Sequence, residues 1–179
     1  MPRLFTGLEV PSEIAFALSL KRGGLHGARW IDPENYHITL RYIGDVDHHT
    51  AYEVADALER FCSSEAFTLT LDHLGVFGGN KPRALYAGVA DNPALDRLQA
   101  SQERLLQRVG LEPDGRKFTP HVTLARLRDT QPHEAALYIA QMGQFSPLNV
   151  SVGRFVLYSS RDSVGGGPYV IEQSYPLAA

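Results

Sequence analysis

A four-residue pattern, His-x-Thr-Leu, occurs twice in this chain and constrains its fold more than any other feature. The copies are His37–Leu40 and His121–Leu124. Each is followed by a polar turn, a helix and a strand, the strands beginning near Phe67 and near Phe145. A repeated succession of elements indicates an internal duplication, which predicts two similar lobes related by an approximate two-fold axis. No Pro/Ser-rich linker separates the halves, so we expect one bilobal domain spanning residues 1–179.

The residue pattern predicts strands and helices in mixed order along the chain. Alternating or apolar runs predict strands, and apolar positions at helical spacing predict helices. The predicted strands are Arg3–Glu9, Tyr36–Ile43, Phe67–Leu74, Ala84–Ala90, His121–Leu127, Phe145–Tyr158 and Tyr169–Leu177. The predicted helices are Pro11–Lys21, Thr50–Phe61, Pro93–Val109 and Pro132–Met142.

The bulk composition narrows the class of protein. Hydrophobic residues make up 44% of the chain and charged residues 21%, a balance typical of a globular protein. Cys62 is the only cysteine, so no internal disulfide can form, and no run is apolar enough for a membrane span or a signal peptide. We therefore expect a cytoplasmic monomer. The net charge of -3 argues against a long nucleic-acid footprint but not against binding one terminal phosphate.

Each motif presents two polar groups on one face of a strand, because alternate side chains point the same way. His37 therefore shares a face with Thr39, and His121 shares one with Thr123. If the lobes face each other, two imidazoles and two hydroxyls converge on one cleft. A neutral histidine can then accept a proton from an attacking oxygen while a protonated one donates to the leaving oxygen. The threonine hydroxyls can donate to the non-bridging oxygens of a phosphodiester, where charge accumulates.

A metal or cofactor is not required by this scheme, and the other histidines offer little support for one. No two histidines stand at the spacing of paired zinc ligands, and we interpret His73, near the end of a predicted strand, as structural. The glycines Gly165–Gly167 precede no helix and are interpreted as the tip of a hairpin. The sequence thus predicts a metal-independent site.

The two motifs and their surroundings resemble the two-histidine phosphoesterase superfamily. The branch that they are most similar to is the RNA 2′,3′-cyclic phosphodiesterases, also called 2′-5′ RNA ligases. The similar segments are Arg3–Pro11, Trp30–Gly44, Arg116–Arg126 and Tyr175–Leu177. The resemblance implies a bilobal α+β fold with antiparallel sheets flanking a central cleft and helices outside. It also implies hydrolysis of a terminal RNA 2′,3′-cyclic phosphate to a 2′-phosphate. It further implies that His37 is the proton donor, that His121 is the proton acceptor, and that Arg126 binds phosphate.

Strict alternation conflicts with the role that the resemblance implies for Arg126. Counting from His121, alternation places Ala125 on the cleft face and Arg126 on the opposite face. Counting from His37, it places Arg41 on the cleft face and Tyr42 on the opposite face. Either the second strand bulges or ends before Arg126, or its side chain reaches round the rim. Arg126 and Arg41 are therefore alternative phosphate contacts. Phe5 and Tyr42 are the candidate rings for stacking on a terminal base, and core packing is the alternative for both.

Two other functions compete with hydrolysis of RNA ends. One is cleavage of a small cyclic nucleotide such as ADP-ribose cyclic phosphate, which an acidic protein suits. The other is a non-catalytic module that binds RNA ends, although such a module has no need of two proton-transfer groups. The 2′-5′ ligation in the family name is the reverse reaction, favoured when two RNA ends are held together. The expected partners are thus RNA ends with a cyclic phosphate, or small cyclic nucleotides.

Overall fold

A computed structural model describes residues 3–61, 64–160 and 167–179. Cys62 and most of the predicted Gly165–Gly167 hairpin tip lie outside these residues, and of that tip only Gly167 is described. Within the described ranges, no helix is both long and apolar enough to cross a bilayer.

The strands and helices form in mixed order along the chain. The strands are β1 (Arg3–Glu9), β2 (Ala28–Trp30), β3 (His37–Asp45), β4 (Phe67–Phe77), β5 (Ala84–Val89), β6 (His121–Leu127), β7 (Leu148–Val152), β8 (Arg154–Ser160) and β9 (Tyr169–Pro176). The helices are α1 (Ser12–Ser19), α2 (His48–Phe61), α3 (Pro93–Val109) and α4 (Pro132–Met142), and a 3₁₀ turn spans Pro33–Asn35. The mixed α+β class predicted from sequence is confirmed.

All nine strands that the structure describes belong to one antiparallel sheet, whereas the resemblance implied separate sheets. The order is β7-β4-β5-β6-β3-β1-β8-β9, and β2 pairs with β6 outside this path. The two motif strands, β3 and β6, are neighbours at the middle of this order, and their pairing is limited to Ile38 opposite Val122. The strands of the two halves are therefore joined at the centre of the sheet by a single residue pair.

One strand prediction is wrong, and one strand was missed. The run predicted as Phe145–Tyr158 is broken at Gly153 into β7 and β8, which pair with β4 and β1 respectively. A chain that changes partners at one residue needs a break there, and a strand pattern alone does not reveal it. The short strand β2 was missed because three residues carry too little periodicity to identify.

Helix α3, the longest predicted helix, has sequence signals at both of its ends. The Asn92 side chain caps it by accepting a hydrogen bond from the Leu95 N–H at 3.0 Å, Pro93 occupies the first turn, and Gly110 ends it at φ 108°. Its buried face comprises Leu95, Leu98, Gln102, Leu105 and Leu106. This face packs on β3 and β4.

Candidate active site

The junction between β3 and β6 brings the two motifs together. Ile38 pairs with Val122 in antiparallel register. One residue further in each direction, His37 stands next to Thr123 and Thr39 next to His121, so the two histidines are diagonal neighbours on one face. Both histidines and both threonines are partly exposed there, while Ile38 and Val122 are buried on the other face. The convergence expected from alternation is present.

Both motif strands are irregular one residue beyond the motif threonine. On β6, Tyr86 pairs with Thr123 but Leu85 pairs with Ala125, which leaves Leu124 without a partner on β5. On β3, Gly7 pairs with Thr39 but Thr6 pairs with Arg41, which leaves Leu40 without one. An extra residue of this kind resets the alternation of side chains.

The strict alternation used in the sequence prediction is therefore wrong beyond residues 40 and 124, and the bulge considered as an alternative is observed. Leu124 and Ala125 are both buried and Arg126 is exposed, so Arg126 returns to the face of His121 and Thr123. In the same way Arg41 is buried and Tyr42 exposed. Tyr42 and Arg126 thus occupy equivalent places in the two halves.

Arg41 and Arg126 have opposite surroundings. Arg41 is only 6% exposed, pairs with the Glu103 carboxylate of α3, and donates to the carbonyl oxygens of Tyr42 and Glu112. Arg126 is exposed on the face of His121 and Thr123, and its charge adds to burial, the main cause, in lowering the pKa of both His37 and His121. Of these two arginines, only Arg126 is exposed on the cleft face.

His37 is enclosed by aromatic rings. Its ring centroid lies 5.0 Å from that of Phe5, 5.5 Å from Tyr158 and 4.8 Å from Tyr169. Its Nδ1 lies 2.9 Å from the Asn35 carbonyl oxygen, which can only accept, so Nδ1 carries a hydrogen. Its Nε2 lies 3.0 Å from Thr39 Oγ1. Burial among these groups removes solvation of the imidazolium and lowers the pKa of His37 to about 4.

His121 has the same hydrogen-bond arrangement in a more open setting. Its Nδ1 lies 2.6 Å from the Thr119 carbonyl oxygen, so its Nε2 is the atom available for proton transfer. Phe77 and Tyr86 contact it with ring centroids at 4.8 and 5.2 Å. Burial lowers its pKa below the ordinary 6.5, and the charge of Arg126 lowers it further.

The two rings proposed as stacking platforms differ in accessibility. Phe5 is 5% exposed and packs against His37, Tyr158 and Tyr169, so the packing alternative describes it. Tyr42 is 43% exposed on the cleft face. A ring at Tyr42 is therefore open to a ligand, whereas the ring of Phe5 supports the catalytic candidate His37.

Sequence reasoning missed three residues on this face. Arg29 of β2 pairs in register with Arg126, so the two arginines are neighbours on the same side of the sheet. Phe77 and Tyr86 contact His121 from β4 and β5. Arg29 lies in the short strand β2, which the sequence pattern did not predict. The contact of Phe77 and Tyr86 with His121 could be predicted only if the pairing of β5 with β6 were known.

A metal site is not apparent from the donor side chains that the structure describes. Within residues 3–61, 64–160 and 167–179, no three His, Cys, Asp or Glu side chains cluster closely enough to hold an ion. The chemistry that the described cleft can perform is proton transfer by two imidazoles around an anion contacted by hydroxyl and guanidinium donors.

Comparisons with known proteins agree on one family. Residues 20–163 match the model of the 2′-5′ RNA ligase superfamily. A protein named RNA 2′,3′-cyclic phosphodiesterase from Aeropyrum pernix is 35% identical over 135 residues, covering 73% of this chain and 75% of that protein. One of the same name from Thermotoga maritima is 30% identical over 177 residues, covering 94% and 92%. The chain belongs to the 2′-5′ RNA ligase superfamily, and the resemblance found in the sequence is confirmed.

Solved structures show the same fold over the whole chain. The crystal structure of Escherichia coli LigT complexed with 3′-AMP covers 100% of both chains with a TM-score of 0.82 and 26% identity. A crystal structure of a phosphoesterase covers 99% of both chains with a TM-score of 0.82 and 24% identity, which supports the fold alone. The fold is thus that of the LigT-like phosphoesterases.

Proposed function

We propose that this protein hydrolyses the terminal 2′,3′-cyclic phosphate of RNA to a 2′-phosphate. The observation that carries the proposal is the diagonal placement of His37 and His121 on one sheet face, each beside the threonine of the other motif. The names of the relatives from Aeropyrum pernix and Thermotoga maritima support this substrate class. The complex of LigT with 3′-AMP supports a nucleotide as the ligand.

In the proposed reaction the two histidines transfer one proton each. His121 Nε2 accepts a proton from water as the water oxygen attacks phosphorus. The bond from phosphorus to O3′ breaks, and His37 Nε2 donates a proton to O3′. The phosphate stays on O2′, which accounts for the 2′-phosphate and the free 3′-hydroxyl. Thr39 and Thr123 donate to the non-bridging oxygens, where preorganised donors lower the barrier most.

The proposed acid requires a change of pKa on binding. With a pKa of about 4, His37 is neutral at pH 7 in the unliganded cleft. A bound phosphodiester carries one negative charge close to both rings, and an opposite charge at such a distance favours the imidazolium. Substrate binding therefore charges the donor only when there is a phosphate for it to act on.

We assign the phosphate contact to Arg126 rather than Arg41. All the described partners of the Arg41 guanidinium belong to the protein, namely Glu103 and the carbonyls of Tyr42 and Glu112. Arg126 is exposed near both imidazoles and has no such partner among the described residues. Tyr42 is the platform on which we place the terminal base, and Phe5 keeps the His37 ring oriented.

A bilobal origin of the cleft is part of the same proposal. In the strand order, β3 of one half is equivalent to β6 of the other, and their outer neighbours β1 and β5 are equivalent too. The bulge in β3 likewise has an equivalent in β6. On β1, Thr6 and Gly7 pair with Arg41 and Thr39 on either side of the bulge. On β5, Leu85 and Tyr86 pair in the same way with Ala125 and Thr123. This correspondence supports two lobes related by a pseudo-two-fold axis through the Ile38–Val122 pair.

The test is incubation with an oligonucleotide that ends in a 2′,3′-cyclic phosphate, in the presence of EDTA. We expect a 2′-phosphate as the only product, and the His133→Ala variant, altered at an exposed histidine outside the site, to match the wild type. A 3′-phosphate product would contradict the assigned leaving group. A higher kcat/KM for ADP-ribose cyclic phosphate would favour the small-nucleotide alternative, and binding without turnover would favour the non-catalytic module.

A further inference from the structure

If the proposed function holds, the region beside His121 is where the nucleophile enters the site. With His121 as the base and His37 as the acid, the attacking oxygen enters next to His121 and O3′ leaves next to His37. Whatever surrounds His121 therefore surrounds the attacking group. In hydrolysis that group is water, but the same position accepts any hydroxyl whose proton His121 can take.

An aromatic shelf, formed by Phe77 and Tyr86, lies on this side. The two rings stack with centroids 4.4 Å apart and planes at 28°, and both are partly exposed. The His121 ring meets Phe77 edge-on at 74°. A Cβ at Gly75 would stand 2.4 Å from the Tyr86 ring, so only glycine lets this ring lie against β4. Stacked, partly exposed rings are the usual platform for a nucleobase.

A basic loop, residues 78–83, borders the shelf. It contains Lys81 and Arg83 and no acidic residue, and the Arg83 guanidinium lies 5.9 Å from the centre of the Phe77 ring. The Arg83 N–H donates to the Phe77 carbonyl at 2.8 Å and its carbonyl accepts from Leu127 N–H at 2.9 Å, so the backbone is held at both ends. Both cations are exposed, and within the described ranges neither has an ion-pair partner.

Three other arginines of the surface differ in this respect. Arg3, Arg116 and Arg154 each pair with a carboxylate, at Asp45, Asp114 and Glu9. In a chain of net charge -3, two neighbouring cations beside stacked rings therefore form a local site for a polyanion with bases. Around His37 two of the three rings, Phe5 and Tyr158, are buried, and only Tyr169 is partly exposed.

We propose that the aromatic shelf and the basic loop bind the 5′-hydroxyl end of a second RNA strand, the acceptor in 2′-5′ ligation. The first base of the acceptor stacks on Phe77, and Arg83 and Lys81 contact its first phosphates. The 5′-oxygen attacks phosphorus, His121 takes its proton, the bond to O3′ breaks, and His37 protonates O3′. A 2′-5′ phosphodiester forms with no further reactant.

The test measures the ratio of ligation to hydrolysis. A donor oligonucleotide with a cyclic phosphate is incubated with rising concentrations of a 5′-hydroxyl acceptor, and both products are quantified. Phe77→Leu should lower this ratio at least about fivefold, the smaller end of what one stacked base contributes. Arg83→Gln should lower it by a similar factor. Arg108→Gln, a matched exposed site on α3, should leave the ratio unchanged.

Each other outcome overturns the proposal in a recognisable way. If both variants lower hydrolysis and ligation by the same factor, the shelf binds the donor's own base. If the ratio is unchanged in Arg83→Gln, or the wild type hydrolyses the donor but never ligates, no acceptor site exists here. Thermal unfolding of Phe77→Leu separates loss of binding from loss of fold. Absence of hydrolysis in the wild type would instead refute the proposed function, and this inference with it.

Discussion

The two halves of the cleft repeat each other in backbone and differ in enclosure. Both histidines follow a carbonyl that accepts from Nδ1, at Asn35 and Thr119, and both strands bulge just after the motif threonine. Around His37 the rings of Phe5 and Tyr158 are buried, whereas the rings beside His121 are partly exposed next to a basic loop. The two halves thus carry two equivalently placed histidines, and their surroundings distinguish them.

The unequal enclosure of the two histidines indicates which side of the cleft is open to solvent and to a second ligand. The residue after each bulge is an exposed tyrosine in one half and an exposed arginine in the other, Tyr42 and Arg126. In the first half the preceding arginine, Arg41, turns inward to Glu103. The same backbone bulge therefore exposes an aromatic ring in one half and a cation in the other.

The largest expected effect is loss of either histidine. His37→Ala and His121→Ala should each lower kcat at least about 100-fold, the usual scale for a general acid or base. To assign the roles, both variants are assayed on a donor with sulfur in place of O3′. A thiolate leaves without protonation at neutral pH, because thiols have pKa values near 8.5.

The sulfur substrate should restore most of the activity of His37→Ala and little of that of His121→Ala. Rescue of His121→Ala alone would mean that the histidines exchange roles, and the nucleophile would then enter on the enclosed side. Near-wild-type turnover of a folded His121→Ala protein on the normal substrate would remove the acid–base assignment altogether.

The next effect compares the arginines at and before the bulges. Arg126→Ala should lower kcat/KM about 10- to 100-fold, the range for one charge-assisted hydrogen bond, without a change in thermal stability. Arg41→Ala should instead destabilise the fold by about 3–5 kcal/mol, because it leaves Glu103 as an unpaired and largely buried charge. Denaturant unfolding and steady-state kinetics on both variants give the two readouts. A stable Arg41→Ala protein with a large loss in kcat/KM would return Arg41 to the list of phosphate contacts.

Much of this site could be predicted from the sequence, and the rest depended on register. The His37–Thr39 and His121–Thr123 pairs follow from the two-residue period of a strand, and that period fails only where a bulge intervenes. A bulge leaves no mark in the residue pattern of Leu40 or Leu124, since both are apolar in either geometry. Residues brought in by pairing alone, such as Arg29 and Tyr86, could not be assigned to the cleft before the strand order was known.

The pH dependence should show the unequal burial of the two histidines. Activity requires one imidazole neutral and one protonated, so kcat/KM should be bell-shaped between the pKa values of the free enzyme. Those values are about 4 for His37 and below 6.5 for His121, so the optimum of kcat/KM should lie in acidic solution and activity should fall above it. A bound phosphate anion favours both imidazolium forms, so the optimum of kcat should lie about one pH unit or more higher.

Replacing an aromatic ring beside His37 should move the acidic limb of the pH profile of kcat/KM. Phe5→Leu admits water to His37, which raises its pKa, so the acidic limb of kcat/KM should move to higher pH. Phe77→Leu, on the other side, should leave that limb near pH 4. If both variants move it equally, or if neither does, the enclosure by Phe5 is not what lowers the pKa of His37.

The smallest effect is the salt dependence of binding. The donor meets one exposed guanidinium that we assign to phosphate, Arg126, with Arg29 beside it. Neutralising one or two phosphates of a single strand gives a slope of log affinity on log salt of about -0.7 to -1.4. The measurement uses RNA ending in a 2′-phosphate, the proposed product, at lengths of about two to eight nucleotides. Slope and affinity should stop growing once the terminal nucleotides are bound, and continued growth would mean an extended track for the donor.

A 5′-hydroxyl strand binding through Lys81 and Arg83 should show a salt dependence of its own. Arg83→Gln should reduce the slope for this strand and leave the slope for the donor unchanged.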